Sequence, residues 1–247
     1  MLKVLLNGCN GKMGQEVTKL ISSTENIEII CGVDRNSAST TYPVYTNTNE
    51  IVEKPDVIID FSVPEATFKI LEYAKENHVP TVIATTGFNQ EQLDMIKEYS
   101  NSFPIFRSAN MSYEINLMAK LVAEIASKLK DSDIEIIETH HNRKIDSPSG
   151  TALLLADSMN EALNNEMHYE MNRSIKHEKR DKKEIGISSI RGGNECGKHS
   201  VIFFGDNESL EITHNVNSRG VFAEGAIKAA FFIVEKAPGL YNMNDIC

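Results

Sequence analysis

Residues 2–14 read LKVLLNGCNGKMG, an apolar run that leads into a turn with glycines at positions 8, 11 and 14. Glycine tolerates positive φ and lets a ligand approach the backbone. A glycine turn that enters a helix also exposes N–H groups that can bind a pyrophosphate. The spacing GxxGxxG is one residue away from the commoner GxGxxG, so by itself it is also compatible with a plain strand-to-helix turn.

The residues that follow the turn favour dinucleotide binding. The second predicted strand, IEIICGVD, ends at Asp34, 20 residues after Gly14. Dinucleotide-binding folds place an acid at this distance, where it binds the adenine ribose hydroxyls. The adjacent Arg35 could instead pair with the additional phosphate of NADP. Asp34 therefore favours NADH as the cofactor, and Arg35 leaves NADPH open.

The first 110 residues alternate short apolar runs with segments of helical period. The predicted strands are LKVLLNG, IEIICGVD, DVIIDFS, PTVIATTG and PIFRSAN. Strands that are apolar on both faces, with helices between them, predict a doubly wound parallel sheet in an α/β domain. The loops FSVPEA, ATTG and SANM follow three of these strands and are placed to line a cofactor crevice, although each is equally compatible with a helix cap or a simple connection.

The pattern changes after Asn110. A long helix over 114–130, a strand over 134–141 and a helix over 151–163 precede three more strands. This order predicts an α+β domain with an open mixed or antiparallel sheet and helices on one face. The polar segment 164–184 is interpreted as a solvated excursion or helix end. We assign residues 1–111 with about 219–247 to the dinucleotide domain and 112–218 to a substrate-binding and oligomerisation domain, although the last helix does not itself indicate its domain.

Composition narrows the possible partners. The chain has 25 basic and 35 acidic residues, a net charge of -10, which disfavours nucleic acid and anionic membrane surfaces. No apolar run approaches the roughly 20 residues of a membrane span. The start of the sequence lacks the pattern of a signal peptide. Four scattered cysteines without a CxxC pair indicate neither a disulfide framework nor a zinc site. We therefore expect a soluble, cytoplasmic protein.

The stretch IETHHNRKIDSPSGTA at 137–152 concentrates groups that bind anions. His140, His141 and Lys144 precede a predicted helix start at Ser149, Gly150 and Thr151. Ser149 can cap this helix, and the amides after it point outward with the positive end of the helix dipole behind them. Because the pKa of imidazole lies near neutrality, one histidine is available to transfer a proton. The segment predicts a receptor for a small anion.

Other chemistries are less compatible with this stretch. A metal site formed by Glu138, His140 and His141 would place Lys144 beside a cation, and adjacent histidines lack the usual spacing of ligands. Ser149 lacks the GxSxG environment of a nucleophilic serine. The isolated histidines are interpreted as packing or surface residues, with His214 undecided; they are His78, His168, His177 and His199.

The stretch EIIETHHNRKIDSPSGTA resembles the dihydrodipicolinate reductase family, and the resemblance extends along essentially the whole chain. The other matching segments are GCNGKMG, DFSVPEAT, ATTGF, SANMSYEINL, IRGGNECGKHSVIFFG and LEITHNVNSRGVFAEGA. The resemblance implies an NADH- or NADPH-dependent reductase that converts the cyclic dicarboxylate 4-hydroxy-tetrahydrodipicolinate to tetrahydrodipicolinate and water, in diaminopimelate and lysine biosynthesis. It further implies a homotetramer formed through the sheet of the second domain, and domain closure during turnover.

The family pattern also implies roles for individual residues. His140 would give and take the proton, Lys144 would be the second catalytic donor, and a substrate carboxylate would be held by His141, Lys144, Ser149, Gly150 and Thr151. The implied cofactor residues are Gly8, Cys9, Asn10, Gly11, Lys12, Met13, Asp34, Arg35, Phe61, Ala84, Thr85, Thr86, Ser108, Ala109, Asn110 and Met111.

The sequence departs from the family pattern at two loop positions. Ala84 replaces the usual glycine of a GTTG loop, and Val63 stands where some members have arginine. The missing arginine weakens the expectation of a strong NADPH preference. Two other functions remain open. A semialdehyde-type dehydrogenase would need a nucleophilic cysteine, for which Cys9 is poorly placed. A dinucleotide-sensing regulatory module would bind the cofactor without oxidising it.

Overall fold

The computed structural model describes residues 1–37 and 41–247. The chain divides into two compact units. The N-terminal unit comprises Met1–Tyr113 with Arg219–Cys247, and the central unit comprises Glu114–Ser218.

Twelve strands and six α-helices are present in the described residues. The strands are β1 Leu2–Asn7, β2 Ile27–Val33, β3 Val44–Tyr45, β4 Val57–Asp60, β5 Thr81–Ile83, β6 Pro104–Arg107, β7 Asp133–His140, β8 His168–Glu170, β9 Glu184–Arg191, β10 Lys198–Phe204, β11 Ser209–Asn215 and β12 Gly239–Tyr241. The helices are α1 Lys12–Ile21, α2 Pro64–Asn77, α3 Gln90–Tyr99, α4 Tyr113–Lys128, α5 Gly150–Ala162 and α6 Gly220–Ile233.

The N-terminal unit is built on a seven-stranded sheet in the order β12-β6-β5-β4-β1-β2-β3. Every neighbouring pair is parallel. The strand order reverses between β1 and β4, so the loops after these strands diverge and leave a crevice at their carboxyl ends. Apolar clusters lie on both faces of the sheet, around Val4 and Leu6 on one side and Leu5 and Ile58 on the other. This doubly covered sheet explains why its strands are apolar throughout.

The glycine turn after β1 depends on two close backbone contacts. Gly8 has φ +78°, and a Cβ there would lie 2.6 Å from the carbonyl oxygen of Phe61. A Cβ on Gly14 would lie 2.3 Å from the carbonyl oxygen of Gly8. Both distances are too short for any side chain, so glycine lets the turn pack between the start of α1 and the loop after β4.

The central unit contains a five-stranded sheet in the order β11-β10-β7-β9-β8. Strand β7 pairs in parallel with β9 and antiparallel with β10, so the sheet is mixed. One face packs against α4 and α5 through a core that includes Ile134, Ile136, Val201 and Phe203. The opposite face carries apolar side chains that are exposed in a single chain, among them Ile137, Ile190 and Phe204.

The polar segment 164–184, expected to be a solvated excursion, contains the edge strand β8 and a buried ion-pair cluster. Glu184 is buried, and its carboxylate accepts hydrogen bonds from Arg173 and Arg180. Arg180 also donates to the carbonyl oxygen of Ile134. Most of the other residues of the segment are exposed, as expected for a solvated excursion, and Glu184 pairs with its two arginines at the sheet edge.

The remaining predicted elements are present, with ends that differ by a few residues. The last helix, α6, packs in the N-terminal unit, where a Cβ on Gly225 would collide with the carbonyl oxygen of Met111. The short strands β3, β8 and β12 were missed because two or three residues carry no recognisable alternation. Among the described residues, no helix is both long and apolar enough to span a bilayer.

Candidate active site

The loop after β1 is tied to the end of β2 by a short hydrogen-bond network. The backbone N–H of Asn10 donates to the Asp34 carboxylate over 3.0 Å, and the Asn10 side chain donates to the carbonyl oxygen of Asn36 over 2.6 Å. Asp34 is half-buried and Arg35 is exposed. Asp34 therefore holds the glycine turn through one carboxylate oxygen, and its second oxygen accepts from the Asn36 amide over 3.4 Å.

Beneath this loop lies a buried carboxylate that sequence reasoning missed. Asp60, at the end of β4, accepts hydrogen bonds from the side chains of Asn7, Ser62, Thr67 and Thr85. Burial raises the pKa of Asp60, and these four hydrogen bonds act in the opposite direction. The carboxylate joins the ends of three neighbouring strands. Its position directly before the FSVPEA loop was the available sequence signal.

The predicted cofactor residues fall into two groups in the structure. The side chains of Cys9, Ala84 and Met111 are buried in the core, and the Thr85 hydroxyl bonds to Asp60, so the first three offer a cofactor only backbone atoms. Ser108 donates to the carbonyl oxygen of Asn110. The others are partly or fully exposed. They lie in the loops at the carboxyl ends of the strands or in the first turn of α1, and comprise Gly8, Asn10, Gly11, Lys12, Met13, Asp34, Arg35, Phe61, Thr86, Ala109 and Asn110.

The start of α1 fits a pyrophosphate. Gly11 is the N-cap residue, and within the described residues no side chain caps the helix. The first amides of α1 are thus available to an anion beside a turn that side chains cannot fill. Gly87, with φ +88° and open space around it among the described residues, continues the same edge of the sheet. These features suit a dinucleotide bound across the switch point.

The predicted histidine segment belongs to a buried cluster in the central unit. The register of the sheet places His140 of β7 opposite Arg191 of β9, and Glu138 opposite His199 of β10. Glu138 is fully buried and accepts from His140 Nδ1 over 2.5 Å. Both of its oxygens also accept from Arg191, over 2.8 and 2.6 Å. The Ser149 amide donates to the same carboxylate over 3.2 Å.

The electrostatics of this cluster keep Glu138 ionised. Burial alone would raise its pKa, but hydrogen bonds from Arg191, Ser189 and His140 prevail and hold the pKa at about 2. For His140, burial lowers the pKa, while the bond to Glu138 raises it and the charges of Lys144 and Arg191 lower it. The net shift is downward. An ionised Glu138 can only accept, so His140 Nδ1 carries the hydrogen.

His199 is buried against His140, in agreement with the packing alternative expected for this histidine. The two rings meet edge to face with centroids 5.1 Å apart. His199 Nε2 lies 3.1 Å from the Ser149 hydroxyl, which accepts from the Ala152 amide as the N-cap of α5. Burial lowers the pKa of His199 to about 4, with repulsion from His140 in addition. His199 is thus a neutral packing residue within the cluster.

The other predicted substrate residues surround this cluster. Lys144 is largely buried and pairs with Asp146 over 2.8 Å. His141 is half-buried, and its Nδ1 has no hydrogen-bond partner within the described part of the chain. Gly150 is exposed at the first position of α5, Thr151 follows it, and the Ser149 side chain is occupied by capping. Cationic and amide donors therefore adjoin the His140 imidazole.

A metal ion does not suit the cluster. The ligand atoms of Glu138, His140 and His199 lie within 4.8 Å of one another. However, Arg191 already occupies both oxygens of Glu138, and Lys144 adds a second positive charge. A cation placed there would have to displace the guanidinium. The set weighed and disfavoured from the sequence contained His141, whereas the structure places His199 beside Glu138 and His140.

Family models cover both halves of the chain. Residues 2–111 match the model described as dihydrodipicolinate reductase, N-terminus, and residues 114–247 match dihydrodipicolinate reductase, C-terminus. The chain belongs to the dihydrodipicolinate reductase family. Among curated relatives in this family, a 4-hydroxy-tetrahydrodipicolinate reductase of Caldanaerobacter subterraneus subsp. tengcongensis is 47% identical and covers 100% of this chain and 98% of its own. One from Clostridium tetani is 48% identical, with 99% and 96% covered.

Solved structures agree with this membership of the dihydrodipicolinate reductase family. A dipicolinate-bound dihydrodipicolinate reductase from Paenisporosarcina sp. TG-14 superposes with a TM-score of 0.85 at 27% identity and covers 100% of both chains. A diaminopimelate dehydrogenase from C. glutamicum shares the fold at a TM-score of 0.57 and 14% identity. The predicted family and the predicted combination of a parallel α/β sheet with a mixed α+β sheet are confirmed.

Proposed function

We propose that this chain is a 4-hydroxy-tetrahydrodipicolinate reductase that uses NADH or NADPH to form tetrahydrodipicolinate and water. Two relatives with this name match it over 98% and 96% of their own length. The single observation that carries the mechanism is the environment of His140. Its Nδ1 is held by the buried Glu138, and Lys144 and the start of α5 lie beside it.

His140 is the acid-base group of the proposed reaction. The reduced nicotinamide, when bound, supplies a hydride for the conjugated ring. That ring forms when the 4-hydroxyl of the substrate leaves with a hydrogen of an adjacent ring carbon as water. Doubly protonated His140 then gives its Nε2 proton to the ring carbon next to the one that takes the hydride, and it is left neutral with hydrogen on Nδ1, where Glu138 holds it. The lowered pKa of His140 makes its imidazolium a stronger acid, which favours transfer of the Nε2 proton to the ring carbon.

The substrate carboxylates are neutralised by two kinds of donor. Lys144 supplies a compact positive charge near His140, and the Gly150 and Thr151 amides at the start of α5 supply aligned N–H groups. His141 directly follows His140 in the sequence and is half-buried. This set suits a ring with two carboxylates, and the related enzyme from Paenisporosarcina was crystallised with dipicolinate.

The N-terminal unit holds the cofactor in this proposal. The start of α1 takes the pyrophosphate, Asp34 takes the adenine ribose hydroxyls, and Arg35 is exposed where an additional phosphate would lie. Both cofactors therefore fit. An acylating dehydrogenase is disfavoured because burial, followed by repulsion from Asp34, raises the pKa of the Cys9 thiol to about 11.

The proposal extends to assembly and location. The open face of the central sheet presents Ile137, Ile190, Ile202 and Phe204, three of which are exposed in a single chain. Covering this face with a second copy would bury them, which supports a homotetramer. Together with the acidic composition, the biosynthetic reaction of the relatives supports a cytoplasmic enzyme without a nucleic-acid or membrane partner.

A coupled assay tests the activity. The unstable substrate is generated in place by its synthase, and the oxidation of NADH and of NADPH is followed in parallel. We expect oxidation that requires both this protein and the synthase product. A protein that binds NADH but oxidises none of it with substrate present would instead act as a dinucleotide sensor, and the proposed activity would be wrong.

A further inference from the structure

Two charged residues adjoin His140, the buried Glu138 and the half-buried Arg191. Glu138 lies two residues before His140 on β7, so both side chains point to the helix-covered face. Arg191 ends β9 and stands opposite His140 in the sheet register. Its guanidinium binds both oxygens of Glu138 and also donates to the carbonyl oxygen of Asp146. With a further hydrogen bond to the carbonyl oxygen of Ile190, the guanidinium has four acceptors.

The Glu138 carboxylate contacts both parts of the proposed reaction centre. Its Oε2 accepts from His140 Nδ1, and its Oε1 accepts from the amide of Ser149, the residue that caps α5. The distances are 2.5 and 3.2 Å. One carboxylate therefore sets the position of the proton donor relative to the helix start that receives a substrate carboxylate.

We propose that Glu138, held by Arg191, is a positioning residue that keeps His140 in the Nδ1–H tautomer and aligns it with the first turn of α5. This inference rests on the proposed function. Because an ionised carboxylate only accepts hydrogen bonds, Nδ1 must carry hydrogen, and every proton exchanged with a substrate passes through Nε2. A Cβ on Gly197 would lie 3.2 Å from Nε2, so the glycine keeps this nitrogen open.

A second buried glutamate in the same sheet provides a matched comparison. Glu184 is buried and is held by Arg173 and Arg180, as Glu138 is held by Arg191. It stands at the opposite end of β9 from Arg191, about 23 Å away at the rise of an extended strand. Glu184→Gln thus removes an equivalent buried ion pair without touching His140.

The test compares pH profiles of kcat for wild type, Glu138→Gln and Glu184→Gln. The charged or titratable groups that face His140 are Glu138, Arg191, Lys144 and His199. Glu138→Gln removes the only negative charge among these four. The high-pH limb of the profile, on which kcat falls as pH rises, should therefore move to lower pH by about 1 unit. We expect kcat to fall about 10- to 1,000-fold as well, because the tautomer is no longer fixed.

Two further variants separate charge from structure. Glu138→Asp keeps the negative charge, so the high-pH limb of the kcat profile should stay near its wild-type pH even if kcat itself is lower. Glu184→Gln should lower the thermal midpoint but leave the limb in place. An unchanged limb and kcat in Glu138→Gln, or an equal shift in Glu184→Gln, would overturn the inference.

A measurement on the wild type keeps the inference testable if Glu138→Gln does not fold. Long-range nitrogen-proton NMR spectra of histidine-labelled protein, assigned with His140→Gln, report the tautomer without any turnover. We expect neutral His140 to be Nδ1–H, and an Nε2–H signal would overturn the inference. If wild type fails in the coupled assay while this tautomer is found, the proposed function is wrong but the positioning by Glu138 stands.

Discussion

The groups around His140 come from two distant stretches of the chain, 138–149 and 191–199. Glu138 lies on the same strand, but Arg191 and His199 are more than 50 residues away and arrive through the pairing of β7 with β9 and β10. The sequence predicted His140 and Lys144 because both lie in one short motif. It could not predict Arg191 or His199, since strand register depends on packing and turn geometry that no local pattern specifies.

Lys144 should contribute to both binding and catalysis. Its ammonium is largely buried near His140, so Lys144→Ala removes a positive charge from the proposed carboxylate receptor. We expect a higher KM for the dicarboxylate together with a lower kcat, measured in the coupled assay. Lys179→Ala, which removes an exposed lysine of the same unit, is the control. Wild-type values of both parameters in Lys144→Ala would refute the assignment.

Glu138 should also make stability depend on acid pH. Its folded pKa of about 2 lies below the ordinary value of 4.5, so its stabilising contribution is present above pH 4.5 and is lost as pH falls toward 2. The contribution is up to roughly 3 kcal/mol. The free energy of unfolding of wild type and Glu138→Gln, measured by denaturant titration from pH 5 to 2, should therefore converge as pH falls. A constant difference would contradict this pKa.

At the level of elements, the start of α5 connects the cluster to the proposed carboxylate site. The sequence predicted this helix start correctly, because a serine before an apolar-periodic run is a common N-cap. It also assigned Ser149 to substrate binding, whereas the structure uses its hydroxyl for the Ala152 amide and for His199. Which of several partners a hydroxyl takes depends on the tertiary structure.

Removing this cap should affect stability and substrate binding together. Ser149→Ala is expected to lower the free energy of unfolding by about 0.5–2 kcal/mol and to raise the KM for the dicarboxylate several-fold, because the first turn of α5 loosens. Asn89→Ala removes the N-cap of α3 in the other unit at a similar cost. This control should leave that KM unchanged. An equal rise in KM in both variants would mean that the effect is only global destabilisation.

At the scale of the whole molecule, both sheets followed from the order and apolar character of the strands. The sequence also predicted helices on only one face of the central sheet. It did not predict which apolar residues lie on the open face, because alternation along a strand cannot distinguish a face covered by helices from one covered by another chain. Ile137, Ile190 and Phe204 lie on that face and are more than a third exposed in a single chain. Their exposure supports assembly through this surface.

The mass in solution tests this assembly. We expect wild type to elute with four times the 27.5 kDa of one chain in size-exclusion chromatography with light scattering. Ile190→Glu should shift the mass to smaller species, because it places a charge on the open face. Val52→Glu, at an exposed apolar residue of the other unit, should leave the mass unchanged. A monomeric wild type would exclude the homotetramer.

The most direct measurement of the central claim is the kcat of His140→Gln in the coupled assay, with NADH binding measured on the same preparation. If His140 delivers the proton, kcat falls by roughly 100- to 10,000-fold while the dissociation constant for NADH is retained. His168→Gln, at an exposed histidine of the same unit, should retain the wild-type kcat. A His140→Gln enzyme with the turnover of wild type would contradict the account.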